Sequence, residues 1–375
     1  YNENQLDAML ASQYHRGPDA TGKYYDAEFA ALGHNRLAII DLSAQSNQPF
    51  TDNSGRYVLV FNGEIYNYIE LKTDLQNKYD FKTESDTEVL LAAYIVYGKD
   101  CLQKCNGMFA FAIWDKQEKK LFAARDRFGV KPFFYAIFNT TFYFSSEIKA
   151  LHSAGIPKKA NEKVWASYFA YGSYGMSDET FWEGIVQLPG GHFLVVDGCQ
   201  FEPLEDQSYL KTLRQAQCDK VQTECQHEPV EDFSSKWSLV IQKWYHFEEE
   251  VGKQPKNLSF EQAKEQYVKL LKDSIKLRFR ADVSVGFNIS GGLDSSVLLS
   301  LVNLQENNNS EVNSKIQQEK SVFISDFALA NPFNQRLIQS IKAYTFYTNN
   351  PDYDELPWVE KMIAETQNPL KKVLL

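Results

Sequence analysis

The chain has 375 residues, of which 43% are hydrophobic and 14% aromatic, so it can bury packed cores and is not of the disordered class. Its formal net charge of -10 does not indicate the basic surface that binds nucleic acid or an anionic membrane. We find no apolar run near the roughly 18 residues of a spanning helix and no signal-peptide core. The five cysteines lack zinc-ligand spacing and are odd in number, which is typical of free thiols in a reducing, cytoplasmic compartment.

Residues 1–199 predict an α+β domain with many strands. Apolar runs rich in β-formers at 57–61, 109–114 and 121–125 predict strands, and 193–197 predicts the last strand of the block. Residues 86–96 predict a helix that Ser85 or Asp86 caps. The stretch 200–242 is polar and rich in Glu, Gln, Asp and Lys, which indicates a linker or surface insertion.

Residues 243–375 predict a second domain. Ser259 followed by Gln262 is a capping-box pattern at the start of a helix that reaches about Arg280. Residues 283–289 and 344–348 predict strands, with a helix from Ser295 between them and another at 352–365. Alternating strands and helices favour a parallel α/β sheet. Residues 305–342 show no pattern that assigns them.

A glycine-rich turn separates the first of these strands from its helix. The turn reads SGGLDSS at 290–296. Glycines allow backbone N–H groups to approach an anion closely, and the positive end of the helix and the serine hydroxyls complete a phosphate cradle. Asp294 adds a carboxylate that can hold Mg²⁺ against phosphate oxygens. No Gly-Lys-Ser/Thr follows, so the turn is not a Walker loop.

The simpler interpretation of this turn is a capped glycine turn without a ligand. The full heptapeptide between strand and helix favours nucleotide phosphate binding instead. It resembles the pyrophosphate-binding loop of enzymes that adenylate a carboxylate or carbonyl with ATP, such as asparagine, argininosuccinate and GMP synthetases. The resemblance assigns to ATP Ile289, Ser290, Gly291, Gly292, Asp294, Ser295, Ser296 and Thr348.

Six segments of the first block resemble class II glutamine amidotransferase domains. They are HRGPD at 15–19, HNRLAIID at 34–41, FNGEIYN at 61–67, SDTE at 85–88, RDRFGVKP at 125–132 and SSEIKAL at 145–151. Their order and spacing resemble the glutaminase half of asparagine synthetases. The resemblance implies an α+β N-terminal-nucleophile domain, an αββα sandwich, followed by an incomplete α/β domain of the adenine-nucleotide hydrolase-like, PP-loop type.

A glutamine site needs a cation for the carboxylate, a carboxylate for the ammonium and donors for an oxyanion. The resemblance assigns glutamine binding to Arg36, Leu37, Ile39, Ile40, Asn62, Gly63, Glu64 and Asp86. It pairs Arg36 with the carboxylate of glutamine, and it pairs Glu64 and Asp86 with the ammonium group. The Asn62 side chain and the Gly63 N–H become the oxyanion hole. Singly, Arg36 could be a surface arginine and Asn62-Gly63 a hairpin turn.

The sequence departs from the family at its ends and near Asp86. The family's nucleophile is an N-terminal cysteine, whereas this chain begins with Tyr1 and has no cysteine before Cys101. Motif spacing places the expected cysteine about a dozen residues upstream, so we expect residues 1–375 alone not to hydrolyse glutamine. The chain ends at Leu375, before the family residues that bind aspartate. Glu84 stands where the family usually has glycine.

The resemblance implies ATP-dependent synthesis of asparagine from aspartate through β-aspartyl-AMP, with ammonia supplied by glutamine. Its partners would be glutamine, aspartate, ATP and Mg²⁺, and a homodimer is left open. One alternative is a related amide-forming enzyme with another carboxylate, such as a β-lactam synthetase or a peptide-modifying ligase, but the retained glutamine pocket argues against it. Another alternative is a non-catalytic sensor of nucleotides or amino acids.

Overall fold

The computed structural model describes residues 3–27, 29–172, 178–197, 238–253, 257–302, 342–348, 350, 354–366 and 368–374. They divide into two compact units. The first contains Tyr1–Leu37, Gln45–Lys82 and Asp86–Val251, and the second contains Ala38–Ala44, Thr83–Ser85 and Gly252–Leu375.

The first unit is built around a six-stranded antiparallel sheet of order β11-β10-β6-β5-β4-β3, with smaller sheets β1-β2 and β8-β7-β9. Its strands are β1 Ala20–Asp26, β2 Ala30–Arg36, β3 Phe50–Thr51, β4 Tyr57–Ile65, β5 Gly107–Asp115, β6 Lys120–Arg125, β7 Phe134–Phe138, β8 Thr141–Ser145, β9 Ile185–Gln187, β10 His192–Asp197 and β11 Ser238–Lys243. Its helices are α1 Glu3–Ser12, α2 Tyr68–Leu75, α3 Asp86–Tyr97, α4 Cys101–Lys104, α5 Ile148–Ser153, α6 Glu162–Tyr171 and α7 Phe247–Gly252.

Side-chain alternation along the strands gives the large sheet two buried faces. On one face Phe61 and Phe111 pack against α2 and α3, for example on Leu90. On the other face Val60 packs with the smaller sheets, for example with Tyr135 of β7. The far side of β7 and β9 is covered by α5, with Leu151 in the core, and by Met9 of α1. The layers therefore run helix, sheet, sheet, helix.

The predicted strands at 57–61, 109–114, 121–125 and 193–197 are confirmed as parts of β4, β5, β6 and β10, and the helix predicted at 86–96 is α3. The predicted boundary at residue 243 is wrong. Residues 238–243 form β11, which pairs along the whole of β10, and Trp244 is buried in the core of the first unit. The apolar residues at 239–241 belong to this strand, and the long polar stretch before them hid its pattern. Residues 198–237 lie outside the described part.

The second unit contains a three-stranded parallel sheet of order β12-β13-β14, which confirms the predicted parallel α/β arrangement. Its elements are α8 Phe260–Arg278, β12 Gly286–Asn288, α9 at 293–302, β13 Lys342–Tyr347, α10 Leu356–Thr366 and β14 Leu370–Leu374. Ser259 and Gln262 form the predicted capping box of α8. Ile289, Leu299, Ala343 and Val359 make the core between sheet and helices.

Two differences from the sequence prediction occur in this unit. β12 is shorter than the strand predicted at 283–289, and the helix predicted at 352–365 begins later, at Leu356. Most of the unassigned stretch 305–342 lies outside the described residues. Within the described ranges, no helix has the length and apolar character needed to cross a membrane.

Candidate functional site

The end of β4 forms an open edge of the large sheet. β3, the outermost strand, pairs with β4 only at Val58 and Leu59. In an antiparallel strand, alternate residues turn their N–H and C=O groups to opposite neighbours. Tyr57 faces the β3 side, because its N–H and C=O both bond to Asp52. By alternation Phe61, Gly63 and Ile65 face the same side, beyond the point where β3 ends.

Side chains bind the peptide groups of Phe61 and Ile65 at this edge. The Phe61 N–H donates to Gln48 Oε1 at 2.6 Å, and the Ile65 N–H donates to Asp86 Oδ2 at 3.0 Å. Gly63 lies between them, and its N–H points outward from the open edge. A Cβ at Gly63 would overlap the Met108 carbonyl oxygen, so glycine is required there. The Gly63 N–H is therefore placed to serve a ligand.

The Asn62 side chain is fixed by a hydroxyl. Asn62 Nδ2 donates to Ser146 Oγ at 3.2 Å. The amide group carries two N–H bonds, so one hydrogen bond orients it and leaves a second donor. Asn62 and Gly63 are adjacent in β4, which gives one side-chain donor and one backbone donor at the same edge. That is the donor set of an oxyanion hole.

The predicted ammonium-binding carboxylates flank this edge. Asp86 is 5% exposed, begins α3 and is tied to the end of β4 through the Ile65 N–H. Glu64 precedes Ile65 and lies close enough to Lys131 for their charges to interact. Burial lowers the pKa of Lys131, the negative charge of Glu64 opposes that change, and the positive charge of Arg16 adds to it. Lys131 is thus a partly buried cation beside the predicted ammonium subsite.

Arg36 is the last residue of β2 and is buried, with 6% of its surface exposed. Its Nη1 donates to Asn47 Oδ1 at 2.8 Å. The segment 15–19 supports the backbone of Arg36: the Asp19 N–H donates to the Arg36 carbonyl at 3.0 Å, and a Cβ on Gly17 would overlap the main chain of Arg36. A buried guanidinium held in this way is not an ordinary surface arginine.

The second unit places the SGGLDSS segment in the predicted strand-turn-helix context. The Ile289 N–H donates to the Tyr344 carbonyl at 2.9 Å, which ties the end of β12 to β13, and α9 follows from residue 293. Ser295 Oγ lies 3.1 Å from Ser290 Oγ and donates to the Ser290 carbonyl at 2.7 Å. A carbonyl accepts, so the two serines close the turn internally.

A carboxylate accepts a hydrogen bond from one backbone amide of this turn. The Gly291 N–H donates to Glu355 Oε2 at 3.1 Å. A Cβ on Gly291 would lie 2.9 Å from Trp358 Cβ, closer than real side chains approach. The backbone here therefore binds an anionic oxygen and has no room for a larger residue. This chemistry fits a phosphate oxygen.

The other predicted ATP residues lie at the carboxyl end of the parallel sheet. Thr348 follows β13, and its hydroxyl donates to the Asn350 carbonyl at 3.1 Å. Asp294 is exposed in the first turn of α9. Among the described residues, no three His, Cys, Asp or Glu side chains gather as a metal site.

Comparison with known proteins agrees with both units. Residues 1–210 match the family model of the glutamine amidotransferase domain, and residues 266–374 match that of asparagine synthase. The chain belongs to the family of glutamine-hydrolysing asparagine synthetases.

Three relatives define the extent of the similarity. Asparagine synthetase (glutamine-hydrolyzing) 1 of Bacillus subtilis is 34% identical over 299 residues, 79% of this chain and 40% of that protein. Amidase chry2 of Gibberella zeae is 32% identical over 300 residues, 80% of this chain and 38% of that protein. Asparagine synthetase (glutamine-hydrolyzing) 3 of B. subtilis is 29% identical over 361 residues, 95% and 49% respectively. The chain spans less than half the length of these relatives.

The structure brings together only part of the glutamine pocket predicted from the synthetase family. Arg36, Asn62, Gly63, Glu64 and Asp86 all belong to the first unit. Leu37 follows Arg36 and is 56% exposed. The predicted residues Ile39 and Ile40 fall in the second unit, where the Ile39 carbonyl accepts from the Asp282 N–H at 2.8 Å. Their part in the pocket stays a prediction.

Sequence reasoning missed four residues at these two sites: Gln48, Lys131, Ser146 and Glu355. Ser146 and Lys131 stand in segments that resemble the synthetase family, but only the folded chain shows which groups they contact. Glu355 lies 64 residues from Gly291, and Ser146 lies 84 residues from Asn62. No local pattern marks such pairs, so the sequence carried no signal for them.

Proposed function

We propose that the first unit binds glutamine and releases ammonia from its side-chain amide, and that the second unit uses ATP to convert aspartate to asparagine with that ammonia. The observation that carries the first half is the Gly63 N–H at the open edge of β4, next to the oriented amide of Asn62. The buried cation of Arg36 supplies the partner that a glutamine carboxylate requires.

The proposed glutaminase chemistry is acyl transfer. A thiolate attacks the side-chain carbonyl carbon of glutamine, and the carbonyl oxygen becomes an oxyanion that Asn62 Nδ2 and the Gly63 N–H stabilise. Collapse of this intermediate breaks the C–N bond, and the nitrogen takes the proton that the thiol gave up and leaves as ammonia. Water then hydrolyses the remaining thioester to glutamate and restores the thiol. Glu64 and Asp86 hold the ammonium group of the substrate. In this proposal the nucleophile is the thiolate of a cysteine.

The proposed ATP site is the turn at 290–296. Its fit to a pyrophosphate rests on the Gly291 N–H, which already binds a carboxylate oxygen of Glu355, and on the exclusion of a Cβ at Gly291. Asp294 would hold Mg²⁺, which neutralises charge on the pyrophosphate when bound. The carboxylate of aspartate displaces pyrophosphate from ATP to give β-aspartyl-AMP, and ammonia then displaces AMP.

The architecture supports the fold that this function uses. Layers in the order helix, sheet, sheet, helix are those of an N-terminal-nucleophile sandwich, and a parallel sheet with a glycine turn before a helix is the frame of a PP-loop domain. We also propose a cytoplasmic location, because the described cysteines Cys101 and Cys105 are both free thiols.

Glutamate release from glutamine, measured on the protein expressed from its complete reading frame, tests the proposal. Asn62→Ala should lower kcat by roughly 10²–10³, the usual cost of one oxyanion-hole donor. Asn53→Ala is the matched control, because Asn53 is exposed and its amide donates to the Asp80 carbonyl at 2.7 Å. Equal rates for the two variants would contradict the assignment of the oxyanion hole.

A second candidate function is amide formation on a carboxylate other than aspartate. The Gibberella relative carries the name amidase, so relatives of similar identity differ in what they are named for. Pyrophosphate release by the complete protein should be compared with aspartate, glutamate and small peptides as acceptors. Release that depends on aspartate alone supports asparagine synthesis, and release with another acceptor replaces it.

A further inference from the structure

Phe61 precedes Asn62, and side chains bind both of its outward-facing peptide groups. Its N–H donates to Gln48 Oε1 at 2.6 Å, and its carbonyl oxygen lies 3.0 Å from His34 Nε2. Inside a sheet, both groups would bond to a neighbouring strand. β3 ends its pairing at Leu59, so Gln48 and His34 take the place of that strand.

The contact with Phe61 defines the tautomer of His34. A carbonyl oxygen only accepts, so the hydrogen lies on Nε2. Nδ1 is then the unprotonated nitrogen, and it is buried without a hydrogen-bond partner among the described residues. A second proton at Nδ1 would have no acceptor. Burial lowers the pKa of His34 to about 4. The ring is therefore a neutral donor at neutral pH.

We propose that His34 is a positioning residue for the oxyanion hole. Gln48 Oε1 holds the N–H of Phe61, and His34 Nε2–H holds the carbonyl of the peptide that joins Phe61 to Asn62. The orientation of this peptide sets where the Asn62 side chain and the next backbone N–H, that of Gly63, point. Oxyanion donors act within about 2.7–3.1 Å of the developing charge, so a tilt of this peptide weakens both. The inference rests on the proposed function of Asn62 and Gly63.

The test compares His34→Phe with His34→Gln in the protein expressed from its complete reading frame. Phenylalanine keeps a ring and removes the donor, whereas glutamine places an amide N–H near the position of Nε2. His34→Phe should lower kcat for glutamine hydrolysis about 10- to 100-fold, less than deletion of an oxyanion donor itself. KM for glutamine should stay within about twofold, since ground-state binding is not altered. His34→Gln should recover most of the lost rate.

His152→Phe is the matched control. His152 Nδ1 lies 3.0 Å from the Ile156 carbonyl, and the Nε2 of His152 is buried without a partner among the described residues, as one ring nitrogen of His34 is. Unlike His34, His152 stands in a helix, α5. This variant should hydrolyse glutamine at the wild-type rate. An equal loss in His34→Phe and His152→Phe would overturn the proposal, because it would indicate general loss of packing.

Two further outcomes separate this inference from the proposed function. If His34→Phe hydrolyses glutamine normally while Asn62→Ala is impaired, the positioning role alone is ruled out. A wild-type protein that releases no glutamate removes the proposed function, and the positioning role with it. The ¹⁵N shifts of the His34 ring give an independent readout: a hydrogen on Nε2 is expected, and a hydrogen on Nδ1 would overturn the assignment.

Discussion

Acid should destabilise the first unit through His34. The ordinary pKa of histidine is 6.5, and burial lowers that of His34 to about 4, with the positive charge of Arg36 acting in the same direction and the hydrogen bond to Phe61 opposing it. Between these two values the unfolded chain binds a proton that the folded chain does not. Stability from this group is therefore complete above pH 6.5 and falls as the pH drops towards 4.

The size of the effect follows from the pKa difference. At about 1.4 kcal/mol per pKa unit, a lowering from 6.5 to about 4 corresponds to about 3 kcal/mol in the free energy of unfolding. His34→Gln removes the titrating group and keeps a donor for the Phe61 carbonyl. From pH 7 to pH 4, the wild type should therefore lose about 3 kcal/mol more of its unfolding free energy than this variant does.

Urea unfolding of the 375-residue chain at several pH values measures this shift. Tryptophan fluorescence is a suitable signal, since Trp114 and Trp244 lie in the two cores of the large sheet. NMR titration of the six histidines gives the pKa of His34 directly, with its resonance identified by its loss in His34→Gln. A His34 pKa near 6.5, or a wild-type-to-variant difference that does not change with pH, would refute the reasoning.

The remaining predictions concern the two proposed ligand sites. Arg36→Ala in the complete protein should raise the glutamine concentration required by about 10- to 100-fold, since a hydrogen bond to a charged group contributes about 1.5–3 kcal/mol. Ammonia-dependent synthesis should continue. Equal loss of both activities would give Arg36 a role in the fold alone. Asp294→Asn should reduce aspartate-dependent pyrophosphate release by about 100-fold, because bound metal charge contributes several kcal/mol, and should leave glutamine hydrolysis intact. Glu355→Ala frees the Gly291 N–H, so calorimetry on this chain should show inorganic pyrophosphate binding several-fold tighter. Glu365→Ala, in the helix α10 that Glu355 precedes, should leave that binding unchanged, and weaker binding by Glu355→Ala would count against the site.

Local patterns in the sequence predicted four strands of the large sheet, the helix α3 and most elements of the second unit. Phe109 and Phe111 of β5 follow the strand period, and the capping box at Ser259 marks the start of α8. Both signals are contained within a few residues. β11 was missed because its evidence is its pairing with β10 across a long polar stretch. The order of the layers likewise depends on contacts between distant segments, which no single stretch encodes.

The candidate site was predictable as a set of residue types and not as an arrangement. Resemblance to a family pointed to Asn62 and Gly63, and the chemistry of glutamine explains why such donors are needed. The contacts of Ser146 with the Asn62 amide and of His34 with the Phe61 carbonyl join side chains from separate strands and loops. These contacts form only when the strands pack, so they required the folded structure.

The shortness of β3 has a consequence for self-association. Exposed strand edges recruit further strands and promote aggregation, and proteins usually block them with charges, proline or short strands. Here the edge of β4 beyond β3 is blocked by side chains that bind the peptide groups of Phe61 and Ile65, and the Gly63 N–H lies between these blocked positions. One isolated amide cannot template a strand, which needs a row of donors and acceptors. The edge can therefore present a donor to a small substrate without inviting a second chain.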